Sequence, residues 1–125
     1  MEKVVAHRQY SCGLGAALEV VGGKWKVLIL WSLRNEPRRF GELRRQVPGI
    51  SEKMLIQHLK EMEADRIVTR KDYKEVPPRV EYALTSFGSS LCEALAPLCA
   101  WGQKHMERIE ACQREQEAKR LRAIA

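Results

Sequence analysis

The apolar positions recur at two periods, and the places where the period changes divide the chain into elements. Leu14 to Val21 reads as a short helix closed by Gly22-Gly23, and Lys24 to Arg34 carries Trp25, Leu28, Ile29 and Trp31 at the spacing of a core helix. After the Asn35-Glu36-Pro37 turn, Phe40, Leu43 and Val47 again share a helical face, and Pro48-Gly49 stops it. Ser51 is a good N-cap, because its hydroxyl can accept from a first-turn amide that has no partner within the helix. From there to Asp65, Leu55, Leu59 and Met62 form one apolar stripe. Beyond Asp65 the period falls to two. Ile67, Val68, Thr69 and Tyr73, then Val80, Tyr82 and Leu84, predict two strands, and Pro77-Pro78, which lack amides for a ladder, belong at the tip between them. From Thr85 the helical period returns with Leu91, Leu95, Leu98, Trp101, Met106 and Ile109, in a helix reaching about Ala118 that should kink near Ala96, before Pro97. Cys92 and Cys99 fall on one face of that helix and are expected in the core.

Two short helices joined by Pro-Gly-Ile make a helix-turn-helix, and the second presents Lys53, Gln57 and Lys60 opposite its stripe. In a major groove such lysines reach phosphates and the Gln amide reaches base edges, although a merely solvated face has the same composition. Arg70, Lys71, Lys74 and Arg79 surround the hairpin tip, which suits either a phosphate backbone or a solubilised surface hairpin. Arg38 and Arg39 stand near the start of the first helix, where they contact phosphate or water. Charge distribution separates these readings. The net charge is +6, from 22 Lys and Arg against 16 Asp and Glu; residues 38–79 hold eleven basic and seven acidic side chains, residues 80–125 six of each. The positive field therefore coincides with the helix-turn-helix and hairpin, which favours duplex DNA over an acidic protein or a membrane.

A chain of 125 residues is expected to be one domain. We divide it into an arm (1–11), a DNA-binding domain with its dimerisation helix (12–112) and a polar, basic tail (113–125). No apolar run approaches the roughly 20 residues of a membrane span, and the N-terminus has no signal-like stretch, so a cytoplasmic protein is expected, with Cys12, Cys92, Cys99 and Cys112 as thiols. His7, His58 and His105 have no catalytic partners at recognisable spacing, so an enzyme is not expected, and no cofactor is called for. No Cys-x-x-Cys or His-x-x-x-His pair occurs; metal sensing would fall to residues such as Cys99, His105 and Cys112. The long C-terminal helix exceeds what so small a domain can bury. It predicts a homodimer packed through that helix and the first short one.

Gly23-Lys24-Trp25, Arg39-Phe40-Gly41-Glu42-Leu43, Ile50-Ser51 with Lys53-Met54-Leu55, and Glu75-Val76-Pro77-Pro78-Arg79-Val80-Glu81-Tyr82 through Leu84-Thr85 are compactly ordered. In these motifs the chain resembles the HxlR family of bacterial winged helix-turn-helix regulators, over roughly Cys12 to Gly102. The resemblance implies a mostly α fold: a three-helix core, a small antiparallel β wing of two or three strands, and N- and C-terminal dimerisation helices. It implies a dimeric transcription factor, a repressor in preference to an activator, on a pseudo-palindromic operator of double-stranded DNA. Ser51 to Asp65 would be its recognition helix, and the implied DNA contacts are Arg38, Arg39, Ser51, Lys53, Met54, Gln57, Lys60, Lys71, Lys74 and Arg79.

Family members that resemble this chain carry a cysteine before the first helix that oxidants, quinones or other electrophiles modify, and Cys12 stands in that place. If Cys12 forms a disulfide, Cys112 of a second subunit is the best candidate partner. The alternative is a small buried apolar residue at the dimer interface, in a regulator that answers a small-molecule or metal ligand. Two residues depart from the family pattern. Gly13 follows Cys12 where Pro is common, and Arg66 replaces a Gly between recognition helix and strand. A left-handed non-Gly residue at that helix end would cost on the order of 1 kcal/mol, so a different geometry is expected there.

Overall fold

A computed structural model describes residues 9–124, and the arm residues 1–8 and Ala125 lie outside it. The order of elements is α1 (Gly13–Val21), α2 (Lys24–Ser32), β1 (Arg38–Arg39), α3 (Phe40–Gln46), α4 (Glu52–Ala64), β2 (Val68–Asp72), β3 (Val80–Leu84), α5 (Ser86–Lys104) and α6 (Met106–Ile124). The chain divides into two compact units, Met1–Ser89 and Ser90–Ala125.

The core of the first unit is made by Ile29, Leu30 and Leu33, by Leu43, Val47 and Ile50, by Leu55, Leu59 and Met62, and by Ile67 and Val68. The whole stripe of α4 is thus buried. On α2 the burial runs through Ile29, Leu30 and Leu33, while Leu28 is exposed and Trp25 and Trp31 are half-buried. The expected pattern was rotated because the tryptophans, large enough to cover a flank, do not mark the innermost face. β1, β3 and β2 form an antiparallel sheet in that order, with Arg38 opposite Tyr82, Val68 opposite Leu84 and Asp72 opposite Val80. Arg38 and Arg39, at the start of α3 as expected, also form a short edge strand. Arg39 caps α3, its amide donating to Glu42 Oε1 at 3.0 Å.

At the end of α4 the amide of Ile67 donates to the carbonyl of Met62 and that of Arg66 to Glu63, a Schellman arrangement that needs a left-handed residue between them. Arg66 takes it up with φ +62°, so the expectation of a different geometry fails: burying Ile67 and Val68 immediately afterwards outweighs the local strain. Arg66→Gly should accordingly stabilise the protein by about 1 kcal/mol, read as a raised urea midpoint with unchanged slope. A lowered midpoint would show that the Arg side chain contributes more than the strain costs.

The start of α5 is fastened to the same corner. The Thr85 hydroxyl lies 2.6 Å from the carbonyl of Arg66 and accepts from the amide of Gly88 at 3.0 Å. The Thr85 amide donates to the carbonyl of Ile67 at 3.0 Å. A methyl group built on Gly88 would meet that carbonyl oxygen at 2.2 Å, so only glycine permits the approach.

Of the kink or break expected near Ala96, the break does not occur. α5 runs through Pro97, and the break comes at His105, three residues after Gly102. Proline removes one hydrogen bond, but the turns on either side retain theirs, whereas Gly102 is a weak helix former. The segment 113–125, expected as a tail, is helical to Ile124. Its Ala, Glu, Gln, Lys and Arg residues favour helix without an apolar stripe, and Arg120 pairs with Glu117 at 3.2 Å. Cys92 is buried but Cys99 is exposed, because residues 96–101 form an exposed stretch that no element of this unit covers. Among the described residues no helix is long and apolar enough to cross a membrane.

Candidate nucleic-acid interface

Burying Leu55, Leu59 and Met62 turns the opposite face of α4 outward, and that face carries Lys53, Gln57 and Lys60. Together with Glu52 and Ile56 they line a shallow depression, beside which Met54 is also exposed. The Ser51 hydroxyl accepts from the Met54 amide at 3.1 Å, so its first task is capping. Gln57 is not loose. Its Nε2 donates to Glu61 Oε1 at 2.9 Å, and Glu61 Oε2 is held at 2.6 Å by Lys26 from α2. The hydrogen bond from Lys26, then that from Gln57, hold the Glu61 carboxyl below the usual carboxylate range. His58 lies beside this group, Nδ1 3.7 Å from Glu61 Oε2, with both ring nitrogens buried and lacking a hydrogen-bond partner.

Arg38 is held by local partners. Its Nε donates to the carbonyl of Ser32, and its guanidinium lies 2.8 Å from Glu36 and 3.7 Å from Glu42, with 19% of the side chain exposed. Two local carboxylates neutralise it, so it braces α2 against β1 instead of offering a free cation. Arg39 is exposed. Arg44, also exposed, faces Glu52 at 3.5 Å.

In the wing the amide of Tyr73 donates to the carbonyl of Arg79, closing the loop between β2 and β3. The Arg79 guanidinium stacks 3.7 Å from the Tyr73 ring centroid and meets Glu81 at 3.3 Å and Glu75 at 3.8 Å. The Tyr73 side chain, then the two carboxylates, raise its pKa further. Arg79 is thus a brace of the wing, with about a third of its side chain left to water. Lys71 stands over the other ring contact of Tyr73, 4.5 Å from its centroid. Lys74 is exposed in a left-handed turn at φ +53°, stabilised by donation of its amide to Asp72 Oδ1 at 2.8 Å. Arg70 and Lys71 are exposed beside it.

Cys12 is exposed and caps α1. Its sulfur makes no well-aligned capping bond, yet the amides of Leu14 and Gly15 favour the thiolate and lower its pKa. Cys112 is exposed on α6 and, with Trp101, His105, Arg108 and Ile109, lines a groove of the second unit. Among the described residues no three His, Cys, Asp or Glu side chains converge as a metal site.

Glu61 and Lys26 carry no signal in the sequence reading, and Tyr73 enters it only as a strand former. The Gln57–Glu61 pair stands at the spacing of helix-surface neighbours and was legible in principle. Lys26 reaches Glu61 only through the packing of α2 on α4.

Residues 20–110 match the family model described as HxlR-like helix-turn-helix. The uncharacterized HTH-type transcriptional regulator YkvN of Bacillus subtilis is 50% identical over 100 residues, covering 80% of this chain and 85% of its own. Among solved structures, the redox regulator HypR in its reduced form aligns with TM-score 0.74 and 39% identity, covering 80% of this chain and 99% of its own. Diamide-treated YodB from B. subtilis aligns with TM-score 0.64 and 35% identity, covering 77% and 96%.

Proposed function

The chain belongs to the HxlR-like helix-turn-helix family, whose members similar to it are HTH-type transcriptional regulators, and from that premise we propose that it is a homodimeric repressor binding a pseudo-palindromic operator. Each subunit lays α4 in the major groove and its wing, through Lys71 and Lys74, along the phosphate backbone. The observation that carries the reading is the α4 face: Lys53, Gln57 and Lys60 stand exposed on a helix whose other side is locked in the core. A helix so anchored loses little freedom on docking. Exposed Leu14 and Leu18 on α1, and Leu98, Trp101 and Met106 on the C-terminal helices, supply the apolar surface a second subunit would cover. Repression asks only that the operator be occupied.

Lys53→Ala and Lys60→Ala test this. Each should weaken operator binding and reduce the slope of log affinity against log salt by about 0.9, with the melting temperature unchanged. Unchanged affinity in both variants would remove α4 from the groove.

Thiol sensing at Cys12 is the regulatory part of the proposal, supported by its exposure and favoured thiolate and by the likeness to a redox regulator. A thiolate of Cys12 that adds to a quinone forms a carbon–sulfur bond with its own electron pair, while the ring C=C pair shifts onto a carbonyl oxygen, which takes a proton; loss of the proton from the newly substituted ring carbon then gives the hydroquinone thioether. A bulky adduct there would alter how α1 meets the partner subunit.

A further inference from the structure

We propose that Glu61 is a positioning residue that fixes the orientation of the Gln57 amide, so that the recognition helix selects adenine at one position of each operator half-site. The inference rests on the reading of α4 as the recognition helix and deepens it.

A glutamine amide has two faces that differ only in which end carries the oxygen, and an unrestrained one turns either way. Here the choice is made by chemistry. Glu61 is an ionised carboxylate and can only accept, so the end of Gln57 at 2.9 Å from Glu61 Oε1 must be the nitrogen. Glu61 is itself prevented from turning away: its second oxygen is clamped at 2.6 Å by Lys26, whose side chain is 13% exposed and held on α2. One N–H of Gln57 is thereby spent on Glu61. Its other N–H and its carbonyl oxygen remain, side by side, at the exposed edge. A donor next to an acceptor is what adenine requires, since its major-groove edge offers N7 as acceptor and the N6 amino group as donor. Guanine presents two acceptors, N7 and O6, and would meet the Gln57 oxygen with repulsion. Turning the amide to suit guanine would set its oxygen against the Glu61 carboxylate.

Lys26 gives the arrangement a second connection. Its terminal atoms pass within 3.2–3.6 Å of where a side chain on Gly22 would begin, at the C-cap of α1. The orientation of Gln57 thus depends on packing between α1, α2 and α4, not on α4 alone.

The test is selection from a library of DNA duplexes with a randomised 20-base-pair segment, using wild type, Gln57→Ala, Glu61→Gln and Lys53→Ala, with melting temperature and affinity for an unrelated duplex measured alongside. Wild type should enrich adenine at one position per half-site by roughly tenfold over guanine, and Gln57→Ala should erase the preference there alone. Glu61→Gln keeps a hydrogen-bonding partner but can donate as well as accept, so it frees the amide to turn. It should lower the preference at that position roughly fivefold or more in a protein that still folds and still binds the unrelated duplex. If Glu61→Gln selects as wild type does, or if the base lost in Gln57→Ala is not adenine, the inference is overturned. Failure of the underlying reading looks different: Gln57→Ala would then retain the wild-type preference at every position, and Lys53→Ala the wild-type affinity.

Discussion

Replacing Gly88 by alanine should destabilise the protein by roughly 3 kcal/mol, at the upper end for an added methyl in a packed site, and lower its melting temperature by on the order of 10 °C. The added carbon would lie 2.2 Å from the carbonyl oxygen of Ile67, which is backbone and cannot swing aside. That carbonyl also accepts from the Thr85 amide, and its neighbour at Arg66 lies 2.6 Å from the Thr85 hydroxyl, so relieving the clash breaks the fastening of α5. The damage reaches the proposed DNA-binding face, because Arg66 and Ile67 follow α4 and lead into β2. A Gly88→Ala protein that remains folded should therefore bind operator more weakly. Gly102→Ala is the control. Nothing lies within 4 Å of its new methyl, and alanine is the better helix former by up to about 1 kcal/mol, so its stability should hold or rise. Equal urea midpoints for Gly88→Ala and wild type would show that the corner yields without cost.

What the chain disclosed and what it withheld differ in physical kind. The helix α4 was legible because an N-cap, a buried stripe and a polar face are all local consequences of one helical period. The sheet order was only half legible: alternation marks β2 and β3, but nothing in two consecutive arginines announces an edge strand against β3. Pro97 misled because a proline's local cost is visible in sequence while the hydrogen bonds that carry a long helix past it are not. Leu28 and Cys99 misled because periodicity identifies a face but not how far along an element the covering neighbours extend.

The candidate DNA-facing residues show the same division. Lys53, Gln57 and Lys60 reach the surface whichever way the rest of the chain folds, once the stripe is buried. Arg38 and Arg79 depend on which carboxylates the fold brings to them, and Glu81 reaches Arg79 only because β3 folds back beside the loop. A basic residue counted as charge in the sequence can therefore be a brace in the structure. The positive field at the wing is then carried chiefly by Arg70, Lys71 and Lys74, all exposed.

Cys12→Ser should abolish any loss of operator binding on treatment with diamide or a quinone, in a gel-shift assay where the untreated variant binds as wild type does. The argument is one of thiolate supply. Attack on an electrophile needs the deprotonated sulfur, and the amides of Leu14 and Gly15 favour it. A lowered pKa means that the thiolate persists to lower pH than in a free cysteine, whose pKa is about 8.5. The modification rate should thus rise with pH and level off at a pH below the level shown by free cysteine, and fall as pH drops through the lowered pKa. Diamide and quinone separate two chemistries. Diamide takes two electrons from a pair of thiols as they form a disulfide, and is itself reduced to the hydrazine; a quinone can add to one thiol alone. If Cys112 of the partner subunit is the second thiol, Cys112→Ser should remove the diamide response, and the covalent dimer that diamide should then produce on a gel without reductant, while sparing the quinone response. A Cys12→Ser protein that still releases operator on treatment would move the switch to another cysteine, and exposed Cys99 would be the next to substitute.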